Sequence, residues 1–314
     1  MKAERQLFLQ TIKGAVPFID EGIFLPHEHL FTDLRGPSVP DYATAVPDDV
    51  VQSMQPILLE ARAAGVTALV ECSTIGVGRN LQILQILSEI TLIHIIAPTG
   101  IYREAFVPES QRTWTPEAFA DGWAKELTVG MEGTGAKAGF IKIAMSDDGP
   151  TPLESRLLES AAIASGKTGA AVASHTASGE VFQRQVEVCA ALDFDLSRFI
   201  WVHANLETDV SIHLEAANMG VFVEFDAIGA AWQSQEMMVD YTLKLIEAGH
   251  IDKILLSHDA GWYQPGRPKG EPEGGYRGFV DIVEKFIPAL KEKGVSEDEI
   301  KQLTCENPNR AFRF

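Results

Sequence analysis

Phe24-Leu25-Pro26-His27-Glu28-His29-Leu30 reads as a short apolar strand that ends in polar residues. Side chains alternate along a strand, so His27 and His29 share one face and Glu28 takes the other. Working outward, short apolar runs recur at 22–26, 67–72, 92–98, 139–144, 170–174, 199–202, 221–225 and 254–257. Most are rich in Val, Ile, Leu and Phe, as strands buried on both faces should be. Helical patterns lie between them. Residues 48–64 place Val51, Met54, Ile57, Leu58 and Ala61 at helical spacing and stop before Gly65. Residues 237–248 do the same with Met238, Tyr241, Leu245 and Ile246, and stop before Gly249. Strand–helix alternation predicts parallel strands, and eight of them suit an α/β fold closed as a (β/α)8 TIM barrel. A doubly wound sheet usually needs a glycine-rich turn after its first strand, and no GxGxxG or GxxxxGK[ST] stands there.

The chain has 314 residues, enough for two domains of ~150 residues or for one barrel of eight ~40-residue units. No low-complexity linker or charge block divides it, so one barrel domain over 1–314 is expected. Hydrophobic residues make up 46% and charged residues 22%, which excludes disorder, collagen and coiled coil. The net charge of -18 argues against nucleic acid and against anionic membrane as partners. Cys72, Cys189 and Cys305 make no disulfide framework, so a cytoplasmic location is expected. The start, MKAERQLFLQTIKG, is too polar for a signal peptide, and no apolar run approaches 18 residues.

Polar residues gather at the carboxyl ends of the runs, the catalytic face of a barrel. His27 and His29 can chelate one cation from a single strand face, or simply hydrogen-bond as a pair. Lys142 lies inside Gly139-Phe140-Ile141-Lys142-Ile143-Ala144, where a lysine is costly unless paired or chemically changed. It either snorkels to a rim or, desolvated and neutral, reacts with carbon dioxide to give a carbamate that bridges metals. His175 follows Ser174, His203 follows Val202, and Asp259 lies in Ser257-His258-Asp259-Ala260-Gly261. Alone, each is as well read as a satisfied polar residue or a helix cap. Together, six such groups at strand ends point to a metal centre. His94, His213, His250 and His258 read as structural or surface residues.

This constellation resembles the phosphotriesterase-like family of the amidohydrolase superfamily. Thr99-Gly100-Ile101-Tyr102 and Asn307-Pro308-Asn309-Arg310-Ala311-Phe312 are similar to the family as well. The resemblance runs along nearly the whole chain. It implies a binuclear centre: one divalent metal on His27, His29 and Asp259, the other on His175 and His203. N6-carboxylated Lys142 and a hydroxide would bridge them. Imidazole and carboxylate ligands suit zinc first, with cobalt, manganese or iron as alternatives. Asp259 would act as general base. A homodimer is the assembly that relatives suggest.

The resemblance also frames the substrate. A tyrosine at the place of Tyr102 orients the lactone carbonyl in lactonase relatives; the alternative is plain aromatic packing. Lactonases for acyl-homoserine lactones often carry an arginine where this chain has Ala227, which argues against those substrates. The long Gly/Pro-rich loop 262–279 begins at Trp262 and carries Arg267, Lys269 and Arg277. These are candidate substrate-binding residues for a phosphate or carboxylate, unless Glu271 and Glu273 cancel their charge in a solvated loop. The expected activity is a lactonase with weak promiscuous phosphotriesterase activity on a small lactone or ester. A phosphotriesterase, a hydrolase of phosphorylated sugar lactones and a non-catalytic binding barrel are the competing readings.

Overall fold

The computed structural model describes residues 7–314. Residues 1–6, part of the start read as too polar for a signal peptide, lie outside the described residues. A hairpin of β1 (Leu9–Thr11) and β2 (Gly14–Val16) comes first, and the expected strands follow. They are β3 (Ile23–Phe31), β4 (Val66–Glu71), β5 (His94–Ile96), β6 (Pro98–Thr99), β7 (Phe140–Ala144), β8 (Val172–His175), β9 (Phe199–Val202), β10 (Phe222–Phe225) and β11 (Ile254–Leu256). The run at 92–98 is divided at Ala97 into β5 and β6, and an additional strand, β12 (Gly261–Tyr263), pairs with β3.

The strands from β3 onward pair in parallel, in the orders β12-β3-β4-β5 and β6-β7-β8-β9-β10-β11. The continuous chain through Ala97 joins the two sheets on one side. On the other, Asp259 N–H donates to the His27 carbonyl at 3.2 Å, and His29 N–H donates to the Ala260 carbonyl at 2.9 Å. The ring is the expected (β/α)8 barrel. Outside it lie α1 (Pro47–Ala63), α2 (Leu81–Thr91), α3 (Pro116–Thr128), α4 (Pro152–Thr168), α5 (Gly179–Ala191), α6 (Val210–Asn218) and α7 (Gln235–Glu247).

Strand alternation divides the core in two. Phe24, Ala68, Val70, Ile96, Phe140, Ala173, Ile200, Phe222 and Leu255 form one buried cluster inside the ring. Their neighbours Leu25, Leu69, Ile95, Ile141, Val172, Trp201, Val223 and Ile254 pack outward with the helices. Phe312, from the closing helix α8 (Asn307–Phe312), plugs the amino-terminal end of the barrel. Its ring lies 6.0 Å from that of Phe24 and 5.2 Å from that of Phe140. Asn307 Nδ2 holds this helix by donating to the Ile254 carbonyl at 2.8 Å. The motif 307–312 therefore closes the floor of the barrel. Among the described residues, no helix is long and apolar enough to cross a membrane.

Candidate metal centre

The same alternation places most of the site. Lys142 follows Phe140 on the inner face of β7 and is 2% exposed. His175 continues the inner face of β8 from Ala173, and Cys72 that of β4 from Val70. Two residues arrive by another route. Strict alternation from Phe24 would turn His27 outward, but a register shift between Leu25 and Glu28 brings His27 and His29 to the inner face. His203 follows the inward Val202, and its left-handed backbone (φ 64°) turns the side chain back over the barrel mouth. Asp259 (φ 49°) and Trp262 (φ 74°) adopt the same region. Left-handed backbone at a non-glycine residue is strained, and here three such residues surround one site.

A cavity of about 260 Å³ opens at the carboxyl end of the strands. His27, His29, Lys142, His175, His203 and Asp259 all line it, together with Tyr102 and Trp262. Asp259 Oδ1 lies 3.2 Å from His29 Nε2 and 3.6 Å from His27 Nε2. The rings of His175 and His203 are 4.4 Å apart, and those of His27 and His203 are 5.1 Å apart. His27, His203 and Asp259 bring ligand atoms within 4.8 Å of one another. Lys142 Nζ and Asp259 Oδ1 are buried without a hydrogen-bond partner among the described residues. Buried polar atoms left unpaired are costly, so this donor set fits metal ions, which would satisfy them.

The ring nitrogens that face away from the cavity are held by partners the sequence reading did not name. His27 Nδ1 lies 2.7 Å from Glu224 Oε1 and 3.3 Å from Asp226 Oδ2. His203 Nδ1 lies 2.8 Å from Asp226 Oδ1, while its backbone N–H donates to Asp226 Oδ2 at 2.9 Å. His29 Nδ1 lies 2.8 Å from Ser73 Oγ and 3.7 Å from Glu71 Oε1. Such contacts fix ring orientation and raise ligand basicity. Alternation along β10 from the inward Phe222 through Glu224 to Asp226 was the signal that could have found two of these carboxylates.

Electrostatics follow from burial and neighbours. Burial and the positive charge of Lys142 push the His27 imidazole down to about 3. Burial opposes charge on His29 too, but the adjacent carboxylates of Asp259 and Glu71 outweigh it and raise that imidazole to about 9. Burial also opposes charge on Asp259, yet His29 and His27 hold its carboxyl down at about 2. In the buried pair at the end of β10, burial and the Asp226 charge push Glu224 well up. Asp226 stays well below the usual range because His203 and His27 outweigh its burial.

Tyr102 and Arg103, on the loop after β6, both line the cavity. Tyr102 Oη lies 3.0 Å from His175 Nδ1, and Arg103 Nη2 donates to His175 Nε2 at 2.8 Å. His175 is pushed well below its ordinary value by burial, His203 and Arg103, so its ring is neutral. Tyr102 Oη also lies 3.4 Å from His175 Nε2, and the tautomer of the ring sets whether the hydroxyl donates to it or accepts from it. Trp262 covers His29, with ring centroids 4.4 Å apart. The sequence reading named Tyr102 and missed Arg103, whose only local signal was its place beside Tyr102.

The remaining loop residues lie elsewhere. Arg277 donates to the backbone carbonyls of His258 at 2.9 Å, Ile228 at 3.0 Å and Asp259 at 3.3 Å. Its guanidinium braces the backbone under Asp259 instead of facing the metal-directed groups. Arg267 and Lys269 line a larger cavity of about 600 Å³ against the start of α1, and Arg267 and Arg277 also line a neighbouring cavity of about 300 Å³ with Asp259 and Trp262. His258 turns away as expected, with Nδ1 2.7 Å from Glu28 Oε1.

A (β/α)8 barrel whose carboxyl face gathers four imidazoles, a carboxylate and a buried lysine defines a metal-dependent hydrolase of ester bonds. The sequence model of the phosphotriesterase family matches residues 7–312, and the chain belongs to that family. It is 30% identical to the phosphotriesterase homology protein of Mycobacterium tuberculosis, over 97% of both chains. The Escherichia coli phosphotriesterase homology protein, solved with phosphate in its active site, superposes with a TM-score of 0.81 at 30% identity. That match covers 94% of this chain and 100% of the other. The organophosphorus hydrolase of Deinococcus radiodurans superposes with a TM-score of 0.86 at 29% identity, over 97% of this chain and 96% of that one. A mutant from the same organism is described as a PTE-like lactonase.

Proposed function

We propose that this hydrolase opens lactone rings, with organophosphate triesters as poor secondary substrates. In this reading His27, His29 and Asp259 would hold one divalent metal and His175 and His203 a second, with carboxylated Lys142 as a further ligand and zinc as the first candidate. When bound, such a pair supplies Lewis acidity and lowers the pKa of water. The Asp259 carboxylate would take the proton that the attacking water gives up and carry it toward the leaving oxygen. Leu34, Val77 and Phe106 give the ring apolar walls, and Trp262 covers the side of His29.

The observation that carries the lactone reading is the Tyr102 hydroxyl. It lies in the cavity beside His175, where its O–H is placed to donate to one acyl oxygen. Two further points support it: the cavity of about 260 Å³ suits a compact ring better than the three arms of a triester, and a Deinococcus radiodurans relative is described as a lactonase. The phosphotriesterase reading keeps the support of relatives named an organophosphorus hydrolase and an aryldialkylphosphatase. With metal-loaded protein, kcat/KM for γ- and δ-lactones should exceed that for paraoxon by at least about 100-fold, a transition-state difference of about 2.7 kcal/mol. Paraoxon turned over faster than every lactone tried would defeat the proposal.

A further inference from the structure

We infer that Arg103 is a specificity residue for the substrate, and that the preferred lactone carries a carboxylate. This rests on the lactone reading above. Outside the metal-directed residues, the cavity is walled by Thr32, Leu34, Val77, Phe106 and other uncharged groups, and Arg103 is the one charged side chain among them. It extends from the loop after β6, with its guanidinium carbon 5.7 Å from the centre of the Tyr102 ring. Its side chain is 28% exposed, so it reaches both the cavity and the rim.

Two of its nitrogens define its chemistry. Nε is buried without a hydrogen-bond partner among the described residues. Nη2 donates to Asp147 Oδ1 at 2.7 Å and to His175 Nε2 at 2.8 Å. A metal on either ring nitrogen of His175 leaves the other protonated, so Nε2 then has no lone pair for the arginine. With His175 holding a metal, the arginine is left beside the reaction centre, lacking one acceptor and holding a second unpaired N–H. Only Asp147, whose side chain is 60% exposed, remains as its counter-charge. A planar fork with two N–H groups to satisfy matches one carboxylate accepting in bidentate fashion. One arginine partly offset by one aspartate suits a monoanion better than a phosphate dianion. The basic residues of loop 262–279 stand outside the cavity that Arg103 lines: Arg277 is engaged on carbonyls, Lys269 lines a cavity against α1, and Arg267 lines that one and a neighbouring cavity beside Trp262.

The test uses metal-loaded protein and ligands with an amide in place of the ring ester. Calorimetric titration with pyroglutamate, which carries a ring carboxylate, is compared with its uncharged carboxamide. Wild type should bind the carboxylate about 10- to 100-fold more tightly, as expected for a hydrogen-bonded charge pair. Arg103→Gln should bring the ratio to about one, and Arg103→Lys should retain part of it, since an ammonium keeps charge but loses the fork. Melting curves and metal content of each variant establish that the site is intact, and Arg103→Lys carries the test if Arg103→Gln does not fold. A wild-type ratio near one, or an unchanged ratio in Arg103→Gln, overturns the proposal. Tighter binding of a ring-linked phosphate than of the carboxylate overturns the choice of anion. Hydrolysis of lactones is scored separately: a carboxylate preference without lactone turnover removes the lactone reading and leaves the anion role of Arg103 standing.

Discussion

At the scale of single residues, this site is a set of imidazoles aimed by carboxylates. Asp226 holds two rings at once, through 2.8 Å to His203 Nδ1 and 3.3 Å to His27 Nδ1, and also accepts the His203 backbone N–H. Asp226→Asn keeps the shape but replaces one carboxylate oxygen with a donor. Metal affinity measured by competition with a chelator should fall about 10- to 100-fold. Affinity equal to wild type would show that Asp226 does not orient the ligands. Glu224 and Asp226 were legible in principle, since both continue the inner face of β10 from Phe222. Arg103 was not: nothing in Tyr102-Arg103-Glu104 says that a side chain on one loop will meet His175 from another strand.

At the scale of elements, close backbone approach decides where Lys142 stands. Gly100 follows β6 with φ 99°, and a Cβ there would lie 2.0 Å from the Lys142 carbonyl oxygen. Only glycine lets the loop that carries Tyr102 and Arg103 pass so near β7. Gly261 plays the same part at the seam, where a Cβ would lie 2.0 Å from the His29 carbonyl oxygen. Gly100→Ala combines left-handed strain of ~1–2 kcal/mol with an overpacking cost of ~1–3 kcal/mol. Denaturant unfolding should show a loss of about 3 kcal/mol, together with reduced lactone turnover. A variant as stable and active as wild type would contradict this account of the β6–β7 contact. The strands themselves were legible because their alternation is local, although the breaks in register were not. The shift between Leu25 and Glu28 and the left-handed turn at His203 reverse what alternation alone assigns to His27 and His203.

At the scale of the whole molecule, the barrel gathers groups distant in sequence whose charges and unpaired atoms oppose one another without metal. Metal binding to the folded form alone then stabilises it by about 4 kcal/mol at a thousandfold excess over Kd. Exhaustive chelation should lower the melting temperature by roughly 10 °C, with zinc or cobalt plus bicarbonate restoring it. The reloaded protein should hold about two metal ions per chain. No change in melting on chelation would remove the metal centre from the folded state. The sequence by itself determined the order of strands and helices, the inward face of each regular strand and the residue types that suit a metal. These depend on periodicity and composition, which act between neighbours along the chain. Only the tertiary structure decided which carboxylate braces which imidazole, that Arg277 supports backbone while Arg103 faces the cavity, and how the ring closes between Asp259 and His27. Those outcomes rest on contacts between residues up to 232 positions apart, and no local pattern encodes a distance across the barrel mouth.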